Sequence, residues 1–71
     1  MIREGTRVKW EWGQGVAEGD VVARHEESVT RTINGSEVTR NGTADDPALE
    51  VRQDDGQLVL KLMSEVERAD A

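Results

Sequence analysis

The chain has no cysteine, no tyrosine and no phenylalanine, and its 71 residues include one histidine, one proline and two tryptophans. Without cysteine there is neither a disulfide framework nor a thiolate zinc site to staple the fold. A single histidine leaves too few of zinc's usual ligands. Hydrophobic residues make up only 35% of the sequence. A domain this small buries only about 60% of its unfolded surface, which excludes a large enclosed active-site cavity. Long apolar runs are also missing. The longest, Leu58-Val59-Leu60, falls far short of the roughly 20 residues that cross a bilayer. The opening Met1-Ile2-Arg3-Glu4-Gly5 lacks the apolar segment of a secretory signal, so a cytoplasmic location is expected. Basic residues are scarce as well: nine against fifteen acids give a net charge of −6. That balance repels phosphate backbones and anionic lipid surfaces.

What is present has a period of two. Val8, Trp10 and Trp12 alternate with Arg7, Lys9 and Glu11, which predicts a half-buried strand over 6–12. Gly13-Gln14-Gly15 turns the chain into a second strand over 16–25. Gly19 within that strand marks a bulge or a sharp bend. Strict alternation there places Val21, Ala23 and His25 on one face, with Val22 and Arg24 on the other.

The strongest local signal lies between Val29 and Arg40, where two β-rich runs flank Asn34-Gly35. Asn-Gly supplies the positive φ at both central positions of a type I′ turn, so a two-residue hairpin is expected. Its register then sets Ile33 opposite Ser36, Arg31 opposite Val38 and Val29 opposite Arg40. That face mixes three aliphatic residues with two arginines and is half covered at best, so the hairpin is expected to project from the core. Residues 41–46 form a polar loop, and Pro47 stands at the entry to a strand over 48–53. Asp54-Asp55-Gly56 is a turn leading to a further strand over 58–62. Ser64-Glu65-Val66-Glu67 has the spacing of a capping box, which predicts one helical turn, and Arg68 to Ala71 are expected to fray.

About six short strands separated by turns predict a small all-β barrel or sandwich, a single domain over 1–71. The expected core is Val8, Trp10, Val16, Val21, Ala23, Leu49, Val51, Leu58, Leu60, Leu62 and Val66. Closure into a barrel is the simplest way to bury them.

Several blocks recur together in one order: Val8-Lys9-Trp10-Glu11-Trp12-Gly13-Gln14-Gly15, Ala17-Glu18-Gly19-Asp20-Val21-Val22, and Val29 through Gly35. They are followed by Arg40-Asn41-Gly42, Asp45-Asp46-Pro47-Ala48 and Leu60-Lys61-Leu62, running on to Ser64-Glu65-Val66. With these blocks the chain resembles the hypervirulence-associated TUDOR domain family over nearly its whole length. The resemblance implies an SH3-like barrel of about five strands, here with the projecting hairpin and a short C-terminal helical turn. It brings no functional residues onto this sequence. TUDOR domains that read methylated lysine or arginine use an aromatic cage. Two tryptophans without tyrosine or phenylalanine do not complete one.

The candidate binding residues are therefore few. Trp12, at a strand end, is a candidate for the rim of a pocket, with Asp54 and Asp55 as acidic walls for a cationic ligand. His25 lies beside Glu26 and Glu27, and Arg31 and Arg40 share a hairpin face. The expected function is a non-enzymatic module that binds a protein or peptide through the Trp12 rim and the hairpin. The alternative is nucleic-acid contact through Arg24, Arg31 and Arg40. A Ser-His-Asp arrangement can be drawn from His25 with Ser28 or Ser64, but nothing in the spacing brings such residues together. Neither Asp45-Asp46 nor Asp54-Asp55 fits a calcium-loop spacing, and no cofactor or metal is expected. Exposed hairpin edges fit a monomer or a weak homodimer.

Overall fold

The computed structural model describes residues 2–70. Its strands are β1 (Arg7–Trp12), β2 (Gly15–His25), β3 (Ser28–Ile33), β4 (Ser36–Asn41), β5 (Ala48–Gln53), β6 (Leu58–Leu62) and β7 (Glu67–Arg68). One 3₁₀ turn, Met63–Glu65, stands between β6 and β7. The all-β reading holds. Five strands form one antiparallel sheet in the order β6-β5-β2-β1-β7, and β3 and β4 form a separate two-stranded sheet.

The expected barrel is not closed by hydrogen bonds, but the large sheet is strongly curled. Laid flat, β6 and β7 would stand four strand spacings apart, roughly 19 Å. Only Met63 to Val66 connects them, and a 3₁₀ turn advances about 2 Å per residue. The curl is visible directly: Lys61 Nζ of β6 lies 5.8 Å from the ring centroid of Trp10 on β1, although β5 and β2 separate the two strands.

The concave face buries Val8, Trp10, Val21, Leu49 and Val51, with Ile2 beneath them and Ala17, Val59, Met63 and Val66 packed around. Each fully buried aliphatic side chain stabilises the fold by about 1.5–3 kcal/mol. Of the expected core, Ala23, Leu58, Leu62 and Val66 are half-buried. Val16 is not core at all, being 62% exposed, because alternation along β2 puts it beside Glu11 on the face opposite Ala17 and Val21, beyond the stretch that pairs with β5.

The bulge in β2 falls at Val22, not at Gly19: the register steps from Val21↔Val51 to Ala23↔Glu50. A one-residue slip exchanges the faces. Beyond the bulge Ala23 and His25 therefore share the convex face with Glu50 and Ala48, and no longer the face of Val21. Gly19 has a different reason to be glycine. A Cβ there would lie 2.6 Å from both the Arg52 carbonyl oxygen and Val51 Cγ1, across the β2–β5 pair.

The β3–β4 hairpin has the expected register, including Val29↔Arg40, Arg31↔Val38 and Ile33↔Ser36, with φ +51° at Asn34 and +78° at Gly35. It projects less than its composition suggests. Val29 is buried against Ala48 and Leu60, with Ile33, Val38 and Leu62 packed around them, so the hairpin folds over the convex face of β5–β6. Thr30, Thr32, Glu37 and Thr39 face outward.

The C-terminal segment departs from expectation in two ways. The helical turn begins one residue before Ser64, so Ser64 is inside it rather than capping it. Asp46 serves instead, accepting the Ser64 N–H at 2.8 Å and the Ser64 hydroxyl at 2.7 Å. Arg68 and its neighbours do not fray as far as Asp70. Glu67 and Arg68 pair with Lys9 and Val8, and the Ala69 N–H donates to the Arg7 carbonyl at 2.9 Å. Ala71 lies outside the described residues.

Candidate binding groove

The curl of the large sheet and the fold-back of the hairpin leave a groove of about 410 Å³ alongside β6. Trp10 and Trp12 of β1 wall one side, and Ile33, Asn34 and Val38 of the hairpin wall the other. Its floor is the run from Gln57 to Lys61 with the exception of Leu58, and Gln53 and Asp55 close one end. The two tryptophans sit on one strand face but differ sharply in burial. Trp10 is only 6% exposed, whereas Trp12 is 73% exposed at the rim. Lys61 lies over the Trp10 ring, a cation–π contact that leaves the Trp12 ring free of any such partner among the described residues.

Asp55 is set in place by its own turn. One carboxylate oxygen accepts the Gln57 N–H at 2.9 Å, while Gly56, at φ +89°, donates to the Gln53 carbonyl at 2.9 Å. Its neighbour Asp54 points elsewhere, into a bidentate pair with Arg7 at 2.9 Å for both contacts. Arg7 also meets Glu18 at 3.3 Å and Asp20 at 3.5 Å. The Arg7 guanidinium holds the Asp54 carboxyl below the usual aspartate range, first through the hydrogen bonds and then through its charge. So of two adjacent acids, one is neutralised by an arginine and the other faces the groove.

The remaining candidates gather elsewhere. On the convex face Glu50 Oε1 lies 2.8 Å from His25 Nε2 and 2.8 Å from Arg31 Nη2. Glu50 itself is buried, at 8% exposure. It ties β2 and β3 to β5. Alternation along β5, with Leu49 and Val51 inward, makes Glu50 look like a solvent-facing residue. The missed signal was an acid within a strand covered on both faces, with arginine on a hairpin able to lie above it. Arg40 approaches Glu65 at 3.6 Å. Arg24 donates to Glu26 at 2.7 Å, and its Nε is enclosed without a partner among the described residues.

Among the candidate binding residues, the groove thus brings together Trp12 and Asp55, and does not include Asp54, His25, Arg31 or Arg40. The hairpin was expected to take part through Arg31 and Arg40, but Ile33, Asn34 and Val38 are the hairpin residues that line the groove, a choice made by tertiary packing. Among the described residues there is no cluster of three or more His, Cys, Asp or Glu side chains arranged to hold a metal ion. No helix among the described residues is long and apolar enough to cross a membrane.

A small, curled, all-β domain with a side groove is the class that the fold and site define. The chain belongs to the family described as "Hypervirulence associated proteins TUDOR domain", whose model matches residues 5–66. No curated protein and no solved structure matches the chain.

Proposed function

We propose that this domain is a non-catalytic, cytoplasmic module that recognises a protein or peptide in the groove beside β6, with Trp12 as its anchor. The TUDOR assignment supports a small binding module but names no ligand. The observation that carries the reading is Trp12, 73% exposed at the mouth of a groove that also presents Ile33, Val38 and Val59. Tryptophan is enriched among the residues that dominate binding energy at interfaces, and one left this exposed gains by being covered. The nucleic-acid alternative has less support. The guanidinium groups of Arg24, Arg31 and Arg40 each lie near a carboxylate, at 2.7, 2.8 and 3.6 Å, and the net charge is −6.

The test is selection from a random peptide library displayed on phage, against the native protein and against Trp12→Ala in parallel. Peptides retained by the native protein and lost with Trp12→Ala are the expected result. Enrichment unchanged by Trp12→Ala, or binding of a short oligonucleotide that vanishes in Arg31→Ala/Arg40→Ala, would overturn it.

A further inference from the structure

The floor of the groove is a sheet edge, and the hydrogen-bond pattern says which of its backbone groups are free. The Gln53 N–H donates to the Gln57 carbonyl at 2.8 Å, and the Met63 N–H to the Pro47 carbonyl at 2.9 Å, at the two ends of the β5–β6 pair. In an antiparallel ladder such bonded pairs alternate with non-bonded ones. With the register Val51↔Val59 and Leu49↔Lys61, those two pairs are bonded, and Arg52↔Leu58, Glu50↔Leu60 and Ala48↔Leu62 are not. The N–H and C=O groups of Leu58, Leu60 and Leu62 therefore point away from β5, toward the free edge. Leu62 fits this, since its N–H is taken by Glu65 Oε1 at 2.8 Å. Leu58 and Leu60 have no backbone hydrogen bond on that side among the described residues. The edge also lacks the usual protection: β6 has no proline, and its one lysine is turned over Trp10.

From this we infer that the groove binds its partner by strand addition: an extended, basic peptide segment pairs with the outer edge of β6 through Leu58 and Leu60. The inference rests on the peptide-binding reading above and specifies its mode. Alternate side chains of an added strand face opposite ways, so one set lies toward Trp12 and the other toward Ile33 and Val38. The basic character follows from which charge is open: of the two charged residues lining the groove, Lys61 is turned over the Trp10 ring and Asp55 is not covered by a cation among the described residues. The domain carries −6 overall. Asp54 is occupied by Arg7, while Asp55 has one oxygen on the Gln57 N–H and the other without a protein partner among the described residues. The open face of Trp12 adds a second attraction for a cation.

Amide NMR with synthetic octapeptides tests it: an alternating lysine–valine peptide, its glutamate–valine counterpart, and the lysine–valine peptide N-methylated at alternate residues on either register. The expected result is downfield movement and slowed exchange of the Leu58 and Leu60 amides with the lysine–valine peptide. The glutamate–valine peptide gives none, and at least one N-methylated form loses the effect. Asp55→Asn keeps the oxygen that accepts Gln57 N–H and should weaken the lysine–valine peptide about 2- to 5-fold. If the Trp12 indole shifts while Leu58 and Leu60 do not, or if neither N-methylated form loses binding, strand addition is wrong and peptide binding stands. Equal binding of the glutamate–valine peptide overturns the basic specificity. Protection of Leu60 that grows with protein concentration alone overturns the peptide as occupant in favour of a second copy of the chain. No response to any peptide overturns strand addition, and the library selection then judges peptide binding independently.

Discussion

Removing the Arg31–Glu50 contact should loosen the attachment of the hairpin, by an amount that the structure allows to be worked out. The β3–β4 sheet shares no hydrogen-bonded ladder with the large sheet. It is held by the Val29, Ala48, Leu60 cluster and by charge contacts, chiefly Arg31 on Glu50 at 2.8 Å. A hydrogen bond to a charged group contributes about 1.5–3 kcal/mol, and losing one partner of a buried pair costs roughly 3–5 kcal/mol. The Glu50 side chain is only 11% exposed, but Arg31 is 42% exposed and regains water when released, so the lower range applies. Arg31→Ala should cost about 2 kcal/mol and Glu50→Ala about 2–3 kcal/mol, with a coupling of about 1–2 kcal/mol between them. For a domain whose whole stability is about 4–11 kcal/mol, these are large fractions. They correspond to falls in Tm of about 8–20 °C. Arg31→Met/Glu50→Met together, which fills the same space without charge, should return to within about 1 kcal/mol of the native protein. Urea unfolding at pH 7, followed by tryptophan fluorescence, measures these three variants and the double variant Arg31→Ala/Glu50→Ala. Additivity of Arg31→Ala and Glu50→Ala within about 0.5 kcal/mol would refute the reasoning, because the two residues would not be acting on one another.

Three further outcomes are expected. Trp10→Ala should destabilise by about 3–5 kcal/mol and Trp12→Ala by less than about 0.5 kcal/mol in the same urea assay, following their burial; equal losses would contradict the assignment of Trp12 to a rim. Gly19→Ala should cost about 1–3 kcal/mol, because its Cβ meets a backbone carbonyl that cannot rotate away. Gly15→Ala, whose nearest neighbour is the Trp12 carbonyl at 4.0 Å, serves as the near-neutral control, and an equal effect of the two would remove the close-approach argument. The Asp54 carboxyl is held below its ordinary value of 3.8 in the folded chain. Its contribution is therefore fully present above that value and is lost as pH falls through the lower folded-state value. Thermal melts below pH 4 should show a shallower acid decline for Asp54→Asn than for the native protein, and a difference that shrinks in high salt. Parallel declines would show that the Arg7 pair adds nothing.

The local order of this fold was written plainly in the sequence. Alternation at Val8, Trp10 and Trp12 and the Asn34-Gly35 turn depend only on neighbouring residues, and both strand and hairpin register follow from them. What neighbours cannot encode was misread. The bulge at Val22 exchanges faces because of pairing with β5, so His25 moved to the side of Glu50. Val16 is as apolar as Val21, yet the two lie on opposite faces of β2, Val16 beside Glu11 and Val21 beside Val51 on the buried face. Glu67 and Arg68 carry no strand pattern, and they pair with β1 only because the curl of the sheet brings its edge within reach. The site divided in the same way. Trp12 and Asp55 were legible as a strand-end aromatic and a turn acid and the hairpin as a recognition element, whereas the groove between them and the free edge of β6 exist only after folding.

These separate failures have one physical origin, and it bears on the groove. The groove has one wall on each of two sheets. The tryptophan wall is fixed to β6 by a continuous ladder through β1, β2 and β5. The hairpin wall has no such ladder and is positioned by side chains alone: Val29 against Leu60, Arg31 against Glu50 and Arg40 near Glu65. Side-chain contacts of this kind rearrange at lower cost than a hydrogen-bonded ladder, which places the hairpin among the less stable parts of the domain. The width of the groove is therefore set by the Glu50 cluster, although neither Glu50, His25 nor Arg31 lines it. His25, Arg31 and Arg40, candidate binding residues in the sequence, lie outside the groove, among the contacts that hold its hairpin wall over the edge that the other wall shares.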